Sequence, residues 1–206
     1  MPNTSATGGY LTPAGSPAPL YGAALYAFLQ PIIVGISGLP GTSVYPRWQI
    51  DPENLPAVGT DWAAFGITFA PNRKFAFVQH YPTVGITPGY DQYQTHEEMN
   101  ILCSFYGPDA DTYAALFRDG LYIGQNREPL QLAGMNMVDT GDIVTAAILT
   151  KGRWLHRFDL RWTVRRIIVR NYPILDVLSA VGTLIFDDQP PYPTGTLTEQ
   201  ITVTGP

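Results

Sequence analysis

His80, His96, His156 and Cys103 are the side chains in this sequence best suited to nucleophilic, acid–base or metal chemistry. They lie far apart along the chain, and no H-x-x-x-H or C-x-x-C spacing gathers them as ligands. His96-Glu97-Glu98 resembles the opening of a zincin motif, but the second histidine is missing. GISGLPGTS, residues 35–43, lacks the lysine and the glycine spacing of a phosphate-binding loop. The G-x-S-x-G turn that raises a nucleophilic serine does not occur. Cys103, the only cysteine, sits in the apolar run ILCSF, where a lone cysteine is most often a small buried hydrophobe. A hydrolase or DNA-processing enzyme built on His96, Cys103 or the arginines therefore lacks a convergent set of groups. The sequence predicts no catalytic residues, no metal site and no cofactor.

The strongest charge feature is GRWLHRFDLRWTVRRIIVRNYP, residues 152–173. Between Lys151 and Arg170 lie seven of the twelve Lys and Arg residues, in a chain of net charge −5. Arg153, Arg157, Arg161 and Arg165 recur every four residues, which fits one side of a strand and nearly one side of a helix. TVRRIIV is rich in β-branched residues, and Trp154, Phe158, Leu160, Trp162 and Val164 alternate with the arginines and Asp159, so one long strand is expected. Tryptophans stacking on bases beside phosphate-holding arginines would make this a nucleic-acid strip. The competing reading puts the aromatic side in a core and pairs the arginines with Asp159, Glu97, Glu98, Asp187 or Asp188, across the sheet or across a subunit contact. The acidic net charge favours the second reading, because a general nucleic-acid binder carries a basic excess.

The elements that must position this strip are those of an α+β chain: one mixed, mostly antiparallel sheet flanked by helices, with extended arms at both ends. Residues 1–19, rich in Pro, Gly, Ser and Thr, read as an N-terminal arm. Residues 20–186 read as one domain, and 187–206 as a C-terminal linker and arm. A helix is predicted from about Pro19 to Ile36, with Leu25, Phe28, Leu29 and Ile32 as its apolar stripe and Pro31 as a kink or stop. LYGAALYAFLQPIIVGISG, residues 20–38, is uncharged, but Gln30, Pro31 and three glycines argue for a buried or subunit-facing helix over a membrane span. Residues 44–61 read as an extended connection. Trp62–Ala70 and Lys74–Pro82 read as a β-hairpin, and Thr95–Gly107 as a strand with Met99, Ile101, Cys103 and Phe105 on one face. A helix is expected from Pro108–Asp111, with Ala115, Leu116 and Leu121 inward and Gly124 and QNREPL ending it. Short strands around Thr140-Gly141 and a partner strand over Ile174–Phe186 complete the sheet. Leu197, Ile201 and Val203 alternate with polar residues in TLTEQITVT, as in a strand able to join an exposed sheet edge. Only 14% of residues are charged, which leaves a surface poorly equipped to stay solitary and favours assembly.

Five blocks occur in order: YPRWQ (45–49), DWAAFGIT (61–68), LCSFYGPDA (102–110), RDGLYIGQNREPL (118–130) and RFDL (157–160). Together they resemble the neck terminator proteins of tailed bacteriophages, over roughly residues 20–186. The resemblance implies a virion structural protein without catalytic residues or cofactors, assembled in the host cytoplasm. It implies a homo-oligomeric ring, with a hexamer expected, that stops tail-tube polymerisation. Its expected partners are the tail tube protein, neck or connector proteins and, where the tail has one, a tail sheath. Genomic DNA would pass through the lumen without being read, and no membrane is involved. A head–tail connector, tube or baseplate subunit is the alternative within phage structure. Arg153, Arg157, Arg161, Arg165, Leu197, Ile201 and Val203 are the candidate interface residues.

Overall fold

The computed structural model describes residues 3, 7–48, 56–57, 59–69, 76–84, 87–150 and 152–176. Their contacts group into two compact units. The larger comprises Pro17–Phe77 and Tyr93–Val169, and the smaller is drawn from Met1–Ser16, Val78–Gln92 and Arg170–Pro206. The fold class is α+β: three helices and a mixed, mostly antiparallel sheet of six strands.

In the larger unit α1, Gly22–Ser37, buries Leu25, Leu29, Ile32 and Ile33. Gly38 ends it with φ 79°, its N–H returning to the Val34 carbonyl at 3.0 Å. Pro31 neither stops the helix nor lies inward, and it occupies the exposed side of α1. The start of the expected extended connection is a regular strand: β1, Val44–Pro46, runs parallel to β2, Trp62–Phe69.

The expected hairpin between Trp62–Ala70 and Lys74–Pro82 does not form. β2 pairs instead with β4, Tyr90–Tyr106, from Trp62↔Tyr106 to Phe69↔Met99, and β3, Phe77–Tyr81, also pairs with β4. Burial explains the difference. β2 is buried from Trp62 to Ile67 and needs a neighbour on each side, whereas β3 is largely exposed. β4 begins at Tyr90, five residues ahead of the strand expected from Thr95, and Met99, Ile101, Cys103 and Phe105 form its buried face as expected.

α2, Ala110–Gly120, turns Ala110, Ala114 and Phe117 inward. Leu121 is buried as expected, but Leu116 is about half exposed. Asp109 caps nothing with its own side chain. Asp61, from the start of β2, accepts the Asp109 N–H at 2.9 Å. Gly124 starts a helix where an end was expected: α3, Gly124–Leu132, buries Leu130. β5, Met135–Thr145, is a single strand whose two register shifts absorb the anticipated turn at Thr140-Gly141. A small hairpin follows, β6 (Ile148–Thr150) with β7 (Arg153–Leu155). β8 then runs from Arg157 to Pro173, so the basic strip is two strands broken at His156, and Asn171-Tyr172-Pro173 lies inside the second. The main strand order is β1-β2-β4-β8-β5. Ile174–Asp176 is not strand, and the rest of the predicted partner strand lies outside the described residues.

The core is the space between this sheet and the helices. Phe117 lies 5.8 Å from Phe105 and packs edge-on to Trp162, also at 5.8 Å, joining α2 to β4 and β8. In the smaller unit Tyr81 stacks on Tyr90 at 5.0 Å, and the Ala14 N–H donates to the Asn171 carbonyl at 2.8 Å.

Gly107 links β4 to α2 with φ +118°, and a Cβ there would sit 2.7 Å from both the Asp61 Cα and the Thr60 carbonyl oxygen. Gly107→Ala is therefore expected to cost about 1–3 kcal/mol, read from the urea unfolding midpoint. An unchanged midpoint would mean that this close approach is dispensable.

Candidate functional site

Strand alternation sends the odd-numbered residues of β8 from Arg157 to Arg165 to one face of the sheet, while Leu160, Trp162 and Val164 enter the core. On the outer face Arg157 grips Asp159 with two hydrogen bonds, Nε to Oδ1 at 2.8 Å and Nη2 to Oδ2 at 2.7 Å. The Ser104 hydroxyl on β4 also donates to Asp159, and Arg47, just past β1, donates to Ser104. Farther along the same two strands Thr163 donates to Asn100 at 3.0 Å, and Arg165 donates to Glu98. Arg157 also lies 5.8 Å over the ring of Tyr106, which stacks on Trp62 at 4.1 Å. Each step of two along β8 meets a step of two backwards along β4, the signature of an antiparallel register.

Arg47 reaches Ser104 by crossing β2, and Gly66 makes room for it. A Cβ on Gly66 would lie 2.7 Å from the ring of Trp48 and 3.2 Å from the Arg47 Cδ. Trp48 itself has φ 58°, in the region a tryptophan rarely occupies. YPRWQ, DWAAFGIT, LCSFYGPDA and RFDL thus meet on one sheet face. RDGLYIGQNREPL is in the helical layer, where Asn126 Nδ2 donates to the Gly120 carbonyl at 2.9 Å.

Arg166 is the functional-looking residue that sequence reasoning missed. As the even-numbered half of an Arg-Arg pair it must point to the opposite face from Arg165. It is 4% exposed, and its Nε donates to Glu97 Oε2 at 2.8 Å. Nη1 donates to the Leu20 carbonyl, and Nη2 lies 2.6 Å from Glu97 Oε2, contributing charge attraction in a geometry too oblique for a hydrogen bond. The guanidinium sits 4.4 Å over the Tyr21 ring, and the Tyr21 hydroxyl donates to Glu97 Oε1. The doublet itself was the available signal.

Of the sequence-predicted interface arginines, Arg157 and Arg165 have carboxylate partners within the chain. Arg161 is exposed and makes no ion pair among the described residues. Arg153 lies in β7 opposite Thr150. Leu197, Ile201, Val203, Asp187 and Asp188 lie outside the described residues. Trp154, expected on the aromatic core side, is instead 66% exposed, because it belongs to the separate β6–β7 hairpin. Burial pushes the Cys103 thiol up to about 12, against a smaller opposing effect from the Trp162 indole N–H, so almost no thiolate forms at neutral pH. Among the described residues no group of three or more His, Cys, Asp and Glu is arranged to hold a metal, and no helix is long and apolar enough to cross a membrane.

These features define an α+β fold whose polar sheet face is knitted by its own side chains. Residues 23–189 match the family model of the phage neck terminator protein, and the chain belongs to that family. It is a structural protein of the phage neck and tail, and hence of the virion. No curated protein matches the chain.

Glu97→Ala would leave the buried Arg166 guanidinium without its carboxylate, at an expected cost of about 3–5 kcal/mol. Asp119→Ala, at the exposed Arg118 pair, should cost about 1 kcal/mol or less. Urea unfolding of both variants checks the contrast, and equal costs would remove Arg166 from its structural role.

Proposed function

We propose that this subunit assembles into a closed, hexameric ring at the head-proximal end of the tail. There it ends tube polymerisation and joins the tail tube protein to neck or connector proteins, with a sheath as a further contact in a contractile tail. Genomic DNA traverses the lumen unread. Family membership is the observation that carries this reading. The surface supports it: Tyr122, Ile123 and Leu132 stand exposed in the helical layer, and Leu149 and Trp154 form an exposed cross-strand pair on the β6–β7 hairpin.

Arg157 and Arg165 act within the sheet, so Arg161, Arg153 and the hairpin carry the basic and aromatic contacts to neighbours. β5 is an edge of the described sheet, and the alternating segment with Leu197, Ile201 and Val203 is suited to lengthen such an edge on an adjacent subunit. The other phage reading, a connector, tube or baseplate subunit, differs in where the ring sits.

Negative-stain imaging and mass measurement of the purified protein, alone and with tail tubes, test the proposal. A ring seated on one end of the tube is expected. Trp154→Ser and Arg161→Ala should weaken that ring while changing monomer stability by about 0.5 kcal/mol or less. A monomer that ignores tubes, or a subunit that builds along the tube length, would overturn the terminator reading.

A further inference from the structure

His80 on β3 stands between two carboxylates. Its Nδ1 is 2.7 Å from Asp91 Oδ1 on β4, and its Nε2 is 2.6 Å from Asp176 Oδ1, just beyond β8. An ionised carboxylate only accepts hydrogen bonds, and a neutral imidazole carries a single N–H. Both contacts are hydrogen bonds together only when both ring nitrogens are protonated. The geometry therefore selects the imidazolium.

Asp176 is held from a second side. Its Oδ2 accepts the Thr83 backbone N–H, and the Thr83 hydroxyl accepts the Gly89 N–H at 3.0 Å. Gly89 is needed for this approach, since a Cβ there would lie 2.7 Å from both Asp176 oxygens. The Asp176 side chain is only 13% exposed. All of these residues belong to the smaller unit.

We propose that His80, Asp91 and Asp176 form a pH-sensitive latch that ties β3 and β4 to the chain just beyond β8. Among the described residues Asp91 and Asp176 are the titratable groups bonded to His80. Hydrogen bonds to Asp91 and then to Asp176 raise His80 above its ordinary 6.5. Thr83, and to a lesser degree His80, hold Asp176 below its ordinary 3.8. A raised histidine contributes stability that is complete below 6.5 and is lost as pH rises through its folded value. A lowered aspartate contributes stability present above 3.8 and lost as pH falls through its folded value. The latch is closed between those folded values and opens on the alkaline side as His80 loses its proton. It requires no particular oligomeric state, so it stands or falls separately from the ring.

Hydrogen exchange of the Thr83 amide reads the latch directly, in the full chain, with the His80 ring titration followed by NMR in the same samples. Exchange is expressed relative to the intrinsic rate at each pH. Thr83 protection should fall as His80 deprotonates, by about tenfold for each unit by which the His80 pKa stands above its ordinary value. His80→Gln keeps hydrogen-bonding capacity without a titrating charge, and should give weak protection with no such step. Asp91→Asn should move the step to lower pH. A Thr83 protection that shows no step in the unaltered protein, or a step that survives in His80→Gln, overturns the proposal.

Discussion

The rest of the fold depends on one shared carboxylate. Asp159 accepts two hydrogen bonds from Arg157 on its own strand and a third from Ser104 on β4, which is itself held by Arg47. Such charge-assisted bonds individually contribute about 1.5–3 kcal/mol net. Asp159 and Arg157 are 18% and 21% exposed, so desolvation is incomplete and screening by water is reduced. The network ties β8 to β4 and, by way of Arg47 crossing Gly66, ties both to the chain beyond β1. A side chain on β2 at position 66 would block that crossing, so a glycine inside a strand is here a structural requirement.

Strand alternation then assigns two different tasks to adjacent arginines. Arg165 joins Glu98 on the partly exposed face, while Arg166 enters the covered side and must be neutralised there by Glu97, the Leu20 carbonyl and the Tyr21 ring. That second cluster anchors the residues leading into α1, a helix with no charged residue of its own. Three of the seven basic residues of the strip, Arg157, Arg165 and Arg166, thus pair with carboxylates inside the sheet. Arg161 is turned to solvent, which is why the assembly proposal turns on it and the neighbouring hairpin.

Periodicity made the central parts of this architecture legible. Leu25, Leu29 and Ile32 marked the inner face of α1, Met99 to Phe105 the inner face of β4, and Leu160, Trp162 and Val164 that of β8. Asp159 was identifiable as a partner of the arginines because it shares their strand, and Glu97 and Glu98 because the inferred sheet order brings their strand nearby. Pairing order was less legible. Trp62–Phe69 and Phe77–Tyr81 are consecutive strands with a turn-like link, and only the burial of the first on both faces reveals that its neighbours come from elsewhere. The helix at Gly124 was hidden by glycine and proline, both tolerated near a helix start or on an exposed face. Asp61 as the acceptor at the α2 entrance, and His80 between two distant aspartates, are joined by folding across separations that local patterns do not encode. The five sequence blocks pointed to the family, and the structure supplies a physical reason for four of them. They are the parts that meet around Gly66, Ser104 and Asp159.

The central claim, that Arg157 of the basic strip is committed to Asp159 within the sheet, is tested most directly by a double-mutant cycle. Unfolding free energies would be measured for Arg157→Ala, Asp159→Ala, the double variant and the unaltered chain. The account predicts a coupling of about 1–3 kcal/mol, with each single variant destabilised, as befits a pair between the exposed and fully buried limits. Single effects that simply add, to within about 0.5 kcal/mol, would contradict it and return the strip to solvent or to a partner.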